Sequence, residues 1–238
     1  MDGTVPGFRP STHGLHYPNN WPEVPAKTIR VHVAGVTAEI PLGDASGGLC
    51  GGMVFAVRDL FERSTPPPDG SDNPPPGSPA FDFIVDRLFA SLRGPRGAAF
   101  GARYYEWMLL PDRIPVIKRG VADLTVHDSL RQVRDSIDRR QPAPLGLVCA
   151  ASANPRDLGN NHQVLAYAHE TGQTQTVLHL YDPNWPDQDD VTLTCALRDG
   201  AAHPFAYSTG DHAVRGFFVS EYEPADPGDL FRTTAQFR

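Results

Sequence analysis

Apolar and polar residues alternate along Thr28 to Pro41 (TIRVHVAGVTAEIP), a two-residue period that predicts a strand or a short hairpin around Gly35. The period then changes. Met53, Val54, Val57, Leu60 and Phe61 recur at helical spacing, with Arg58, Asp59, Glu62 and Arg63 off the stripe. An amphipathic helix is expected there, beginning close to Cys50. Three more helical stretches follow, at roughly 80–93 (Phe81, Phe83, Ile84, Leu88, Phe89, Leu92), 100–110 and 127–139 (Leu130, Val133, Ile137). Asp128 is the expected N-cap of the last. From Pro144 the texture turns to strands: PLGLVCAA, HQVLAYAHE, TQTVLHLYD, DVTLTCAL, AHPFAYS and VRGFFVSEY, separated by polar or Gly/Pro turns. Helices first and a meander of antiparallel strands afterwards predict an α+β fold.

Composition adds punctuation to this pattern. The chain has 238 residues, 24 prolines and 22 glycines, and seven of the prolines fall in residues 64–79 (STPPPDGSDNPPPGSP). That stretch can be neither helix nor central strand, and its place after the Cys50 helix suits a lid-like surface loop. Residues 1–27, with Tyr17, Pro18, Trp21 and Pro22, read as an extended N-terminal arm laid over a single domain of 28–238. The net charge of −7 argues against a nucleic-acid partner. No apolar run reaches the ~18 residues of a membrane span, and the N-terminus shows no signal-peptide h-region, so a cytoplasmic protein is expected. Three cysteines, Cys50, Cys149 and Cys195, are too few and too far apart for a disulfide framework or a CxxC zinc site.

The question becomes whether one thiol is special. Cys50 lies where a helix begins, among backbone N–H groups without intrahelical partners and at the positive end of the helix dipole, a setting for a nucleophilic sulfur. Gly47, Gly48, Gly51 and Gly52 bare the surroundings and leave N–H groups to hold an oxyanion. The bland alternative is a buried structural cysteine, which is the expectation for Cys149 and Cys195 in their apolar runs. A nucleophilic cysteine needs a base. His162 opens the strand run HQVLAYAHE, and TVLHLYD ends in Asp182, 20 residues on. A hairpin pairing the two runs puts the start of one beside the end of the other, so Asp182 falls near His162. Asn184 is the alternative orienting group. Taken singly, His162 is equally a loop histidine and Asp182 an Asp-Pro turn starter.

Cysteine at a helix head, with histidine and a carboxylate on a later antiparallel sheet, resembles the papain-like cysteine peptidases. The motifs Gly-Leu-Cys-Gly-Gly (48–52), Asn-His-Gln-Val (161–164) and Tyr-Asp-Pro (181–183) are similar to the bacterial members that trim bacteriocin leader peptides, and to their stand-alone relatives. The resemblance covers roughly residues 45–222 and leaves 64–145 unmatched. It implies a papain-like fold, a Cys50–His162–Asp182 triad, a peptide or other acyl substrate and no cofactor. The chain departs from the family in one place. The glutamine that those peptidases carry upstream of the cysteine is absent, and six residues before Cys50 stands Asp44. The polar side chains left for an oxyanion site are Asp44 and, where the arm folds back, Asn19 or Asn20. A hydrolase, an acyl transferase and a catalytically silent peptide-binding module all remain open. The run Gly43-Asp44-Ala45-Ser46-Gly47-Gly48 is a broken serine-protease motif in the wrong order for that triad. A metal site from His162, His169, His179 and Asp182 is disfavoured, since residues seven apart on a strand face opposite ways.

Overall fold

The structure is a computed structural model that describes residues 2–33, 36–93, 101–113, 120–197 and 204–231. Helices and strands segregate along the chain, as the α+β reading expects. The short β1 (Gly3–Thr4) and α1 (Pro10–His13) precede a hairpin of β2 (Pro25–Val33) and β3 (Val36–Asp44). The helices follow: α2 (Cys50–Glu62), α3 (Pro79–Ser91), α4 (Ala102–Leu109), α5 (Val121–Leu124) and α6 (Leu130–Asp138). Then come β4 (Ala143–Val148), β5 (His162–Thr171), β6 (Gln175–Tyr181), β7 (Thr192–Ala196), β8 (Phe205–Tyr207) and β9 (Gly216–Val219). The expected turn at Gly35, the first residue of the 100–110 helix and the start of the AHPFAYS run lie outside the described residues.

The main sheet has the order β8-β7-β6-β5-β4-β9 with antiparallel neighbours, and β1 pairs the far end of β5. The meander therefore holds for five strands and fails for the sixth: β9 returns to pair with β4 rather than extending beyond β8. Burial explains the return. Phe217 enters the main core while Phe218 packs with Tyr104 and Trp107 in a second cluster, so β9 needs cover on both faces. Beside β4, buried along its whole length, it has that cover.

Helix α2 is the axis of the helical half. Residues 51–60 are all buried, including Arg58 and Asp59, so the one-sided stripe read from the sequence is corrected to a helix enclosed on every side. The charged pair is accommodated, not solvated: the Arg58 guanidinium lies over the Tyr222 ring, and Asp59 is bonded by Arg87 and Tyr222. Gly51 and Gly52 serve this packing. A Cβ on Gly52 would stand 2.1 Å from the carbonyl oxygen of Ile84 in α3, and one on Gly51 2.2 Å from the Gln163 amide. They let α2 press against α3 and β5, and it is Gly47 and Gly48 that line the cleft beside Cys50.

The last helical stretch also begins earlier than its apolar spacing predicts. It starts after Gly120 and passes through a wide π turn at Thr125–Ser129 before α6, so Asp128 lies inside the helix and caps nothing. Thr125 in that turn accepts the Phe217 backbone N–H and so ties the helix to β9.

Residues 2–27 are woven into the core. β1 pairs with β5, and Val5, Phe8, Leu15, Tyr17 and Trp21 are all buried. The proline loop lies on this segment: Asn73 donates to the Pro18 and Asn20 carbonyls, and Ser78 caps α3 ahead of Pro79. The lid expectation is corrected, because the loop's contacts run to the N-terminal segment while the cleft is lined from elsewhere.

Candidate active site

Cys50 is the first residue of α2. The N-cap, Leu49, supplies no side-chain cap; its backbone N–H donates to Asn19 Oδ1 at 2.7 Å. The first-turn N–H groups thus stay open around a half-buried sulfur. On the sheet side, β5 and β6 pair antiparallel from Leu165↔Tyr181 outward, with a bulge at Tyr167. The residue after Tyr181 is Asp182, which the hairpin delivers to the start of β5. His162 Nε2 lies 2.6 Å from Asp182 Oδ1, both side chains buried. The other ring nitrogen, Nδ1, is not engaged by Asp182, and Cys50 shares the cleft with His162 and acts on its charge. The structure thus brings Cys50, His162 and Asp182 together from a helix start, a strand start and a strand end.

Electrostatics favour a protonated ring. Burial is the largest single influence on His162 and opposes its charge. The Asp182 carboxylate, by charge and by hydrogen bond, and then Cys50 outweigh it and push the pKa up to about 10. Burial likewise works to raise Asp182, but His162, the Tyr207 hydroxyl and the Asn184 backbone N–H together hold its pKa below the ordinary carboxylate value. Burial pushes the Cys149 thiol up to about 12 and raises that of Cys195 further. Cys195 is a core residue as expected, whereas Cys149 is half-buried just past the end of β4, its backbone N–H bonded to Asn161 Oδ1. His169 and His179 bond Asp138 and Glu170, away from His162.

The oxyanion candidates fare differently. The N-terminal segment does fold back, with the Asn19 N–H on the Pro183 carbonyl. The Asn19 side chain, however, accepts from Leu49 and Trp21 and donates to Asn184 Oδ1, so it braces the helix start. Asn20 is exposed and its carbonyl holds Asn73. Asp44 sits exposed at the cleft rim and accepts the Ser46 N–H as a turn cap, and a carboxylate has no proton to offer an oxyanion. Asn184 orients the carboxylate rather than the ring, donating its backbone N–H to Asp182 Oδ1 at 2.8 Å. The first turn of α2, which begins at Cys50, carries backbone N–H groups without a side-chain cap.

Beside Cys50 and His162 lies a cleft of about 230 Å³ whose walls are largely apolar, from Leu88, Leu92, Tyr104 and Leu158. Larger hollows of about 580 and 600 Å³ lie elsewhere, one between β2 and α3 and one near Arg87, and neither is lined by a cysteine or histidine. Of these three hollows, the one next to the thiol holds both a cysteine and a histidine.

Three contributing residues went unseen in the sequence. Tyr207 in β8 donates to Asp182 Oδ2. Tyr104 in α4 donates to the His162 carbonyl at 2.8 Å and pins the strand start. His212, in the β8–β9 connection, stacks on the His162 ring at 4.6 Å between centroids. Tyr207 stood in an expected strand, yet its partner depends on a β7–β8 register that turn residues did not specify. His212 stands in a polar turn without periodicity. Compared with protein-family models, curated proteins and solved structures, the chain finds no match.

Proposed function

We propose that this protein is a cysteine hydrolase of papain-like architecture acting on a peptide or other acyl substrate. The observation that carries the reading is the His162 ring bonded to a buried carboxylate and sharing an apolar cleft with a thiol at a helix start. In the acylation step His162 already holds the proton that Cys50 has given up, and the sulfur attacks the substrate carbonyl carbon. The oxyanion faces the open N–H groups of the first turn of α2. The bond to the leaving amine or alkoxide then breaks, and His162 returns its proton to that group. Water attacks the resulting thioester, His162 accepts its proton, and the acid departs as the thiol is restored. Asp182 holds the ring tautomer and stabilises the imidazolium, and Tyr207 and Asn184 hold Asp182. Another nucleophile in place of water makes the same site an acyl transferase.

The test is to incubate the protein with activated acyl esters and with peptide amides, stop the reaction in acid and examine the Cys50 peptide by mass spectrometry. An acyl adduct on Cys50, lost in Cys50→Ala together with product release, is expected. Product release unchanged in Cys50→Ala contradicts the reading.

A further inference from the structure

The direction of hydrogen bonding around His212 is fixed by groups that can only donate. The Leu49 backbone N–H and the Trp21 indole N–H both point at one atom of Asn19, which must be its Oδ1. The Asn19 NH2 group therefore faces Asn184, at 3.2 Å from Oδ1. This turns the Asn184 NH2 group toward His212 Nε2, at 3.5 Å, the outer limit of a hydrogen bond. A ring nitrogen that meets an NH2 group is an acceptor, and a histidine with an acceptor nitrogen is neutral. The same ring lies nearly parallel to His162, 23° between planes.

We propose that His212 is a positioning residue for His162: its neutral ring supports and shields the imidazole, and its protonation sets the acid limit of Cys50 reactivity. The proposal rests on the Cys50–His162–Asp182 assignment. Protonating His212 places N–H against the Asn184 NH2 group and a positive charge against the imidazolium face. The thiolate–imidazolium pair, whose positive end is nearer His212, then gives way to neutral thiol and imidazole.

Each charged or titratable neighbour enters this balance. His162 on β5 opposes protonation, as does burial, which is the larger influence; Asp211 in the same connection and Asp182 after β6 favour it, and the net direction is downward. Asp211 Oδ2 stands 3.9 Å from Nε2 and also accepts from the Trp185 indole N–H, while Oδ1 accepts from the Thr209 hydroxyl. Tyr207 on β8 meets the ring edge-on at 5.8 Å. Asp211 acts in turn on the Cys149 thiol, which also feels Arg215 and Cys50, and Cys50 acts on His162.

The test is the pH profile of Cys50 alkylation by iodoacetamide in wild type, His212→Phe and His212→Ala. Phenylalanine keeps a stacked ring that cannot take a proton. Each rate is taken relative to the same protein at pH 8; on that scale His212→Phe is expected to react about threefold or more faster than wild type at pH 5. His212→Ala, without the ring, loses rate at pH 8 as well. Superimposable profiles for wild type and His212→Phe overturn the proposal. Proton NMR of the His212 ring gives a readout independent of the thiol. It should titrate below about 6.5 in wild type and at higher pH in His162→Phe. Titration at or above 6.5 in wild type overturns the proposal. Failure of Cys50 to outpace a free thiol at any pH points instead to the triad assignment, and the NMR titration still decides the state of His212.

Discussion

Two buried carboxylates, Asp59 and Asp182, differ in what holds them. Asp59, on α2, meets the Arg87 guanidinium with Nε at 2.7 Å from Oδ2, and Oδ1 accepts from the Tyr222 hydroxyl and the Ala225 N–H. Asp182 meets His162 at 2.6 Å, with the Tyr207 hydroxyl and the Asn184 N–H. The sets run parallel: one cation, one tyrosine, one backbone amide. Yet burial dominates at Asp59 and leaves its pKa raised despite those partners, while at Asp182 the partners prevail and its pKa is lowered. A guanidinium never yields its proton, so Asp59–Arg87 is a strut between α2 and α3. An imidazole has a second nitrogen, here not engaged by Asp182, and His162 shares its cleft with Cys50, so Asp182–His162 can move a proton. Similar burial supports stability in one case and chemistry in the other.

The comparison breaks most sharply at the strut. Arg87→Met leaves a carboxylate buried without its cation and should cost about 3–5 kcal/mol in urea unfolding. Alkylation of Cys50 in the folded fraction should stay within about twofold of wild type. A large loss of reactivity at retained stability denies the division of labour.

A smaller effect, but one that depends on pH, is expected from Asp182→Asn. The His162 pKa is raised in the folded state, so its stabilisation is complete below the unfolded value near 6.5 and fades as pH rises toward about 10. The Asp182 pKa is lowered, so its share is present above the unfolded value of 3.8 and fades as pH falls through its folded value. The stability lost in Asp182→Asn, about 1–3 kcal/mol, is therefore greatest between roughly pH 4 and 6.5 and shrinks toward pH 10. Urea midpoints at pH 5.5, 8 and 9.5 check this, and a loss constant with pH contradicts it.

The smallest effect separates the two tyrosines. Tyr222→Phe and Tyr207→Phe should each cost about 1 kcal/mol. Only Tyr207→Phe, by freeing an oxygen of Asp182, should alter the pH profile of Cys50 alkylation. Equal profiles for both variants erase the distinction.

What was legible in the sequence follows the same division. Local rules placed Cys50 at a helix start, His162 at a strand start and Asp182 at a strand end, and a hairpin of adjacent strands needs no further information to join the last two. Long-range placement was not legible. The return of β9 to β4 depends on where Phe217 and Phe218 find cover. The glycines after Cys50 suggested open space, and only the approach of Ile84 and Gln163 shows that they are filled. Asn19 looked like an oxyanion donor because its amide could reach the site, but its direction is set by Trp21 and Leu49. Tyr207 comes to Asp182 from a strand whose register no local pattern sets, and His212 comes to His162 from a connection whose course none encodes.

The central claim is that His162 activates Cys50, and the alkylation rate of Cys50 by iodoacetamide near pH 7 tests it most directly. Wild type should react at least about tenfold faster than a free thiol, and His162→Ala should lose about 10²-fold while remaining folded by circular dichroism. Equal rates for wild type, His162→Ala and a free thiol would contradict the account.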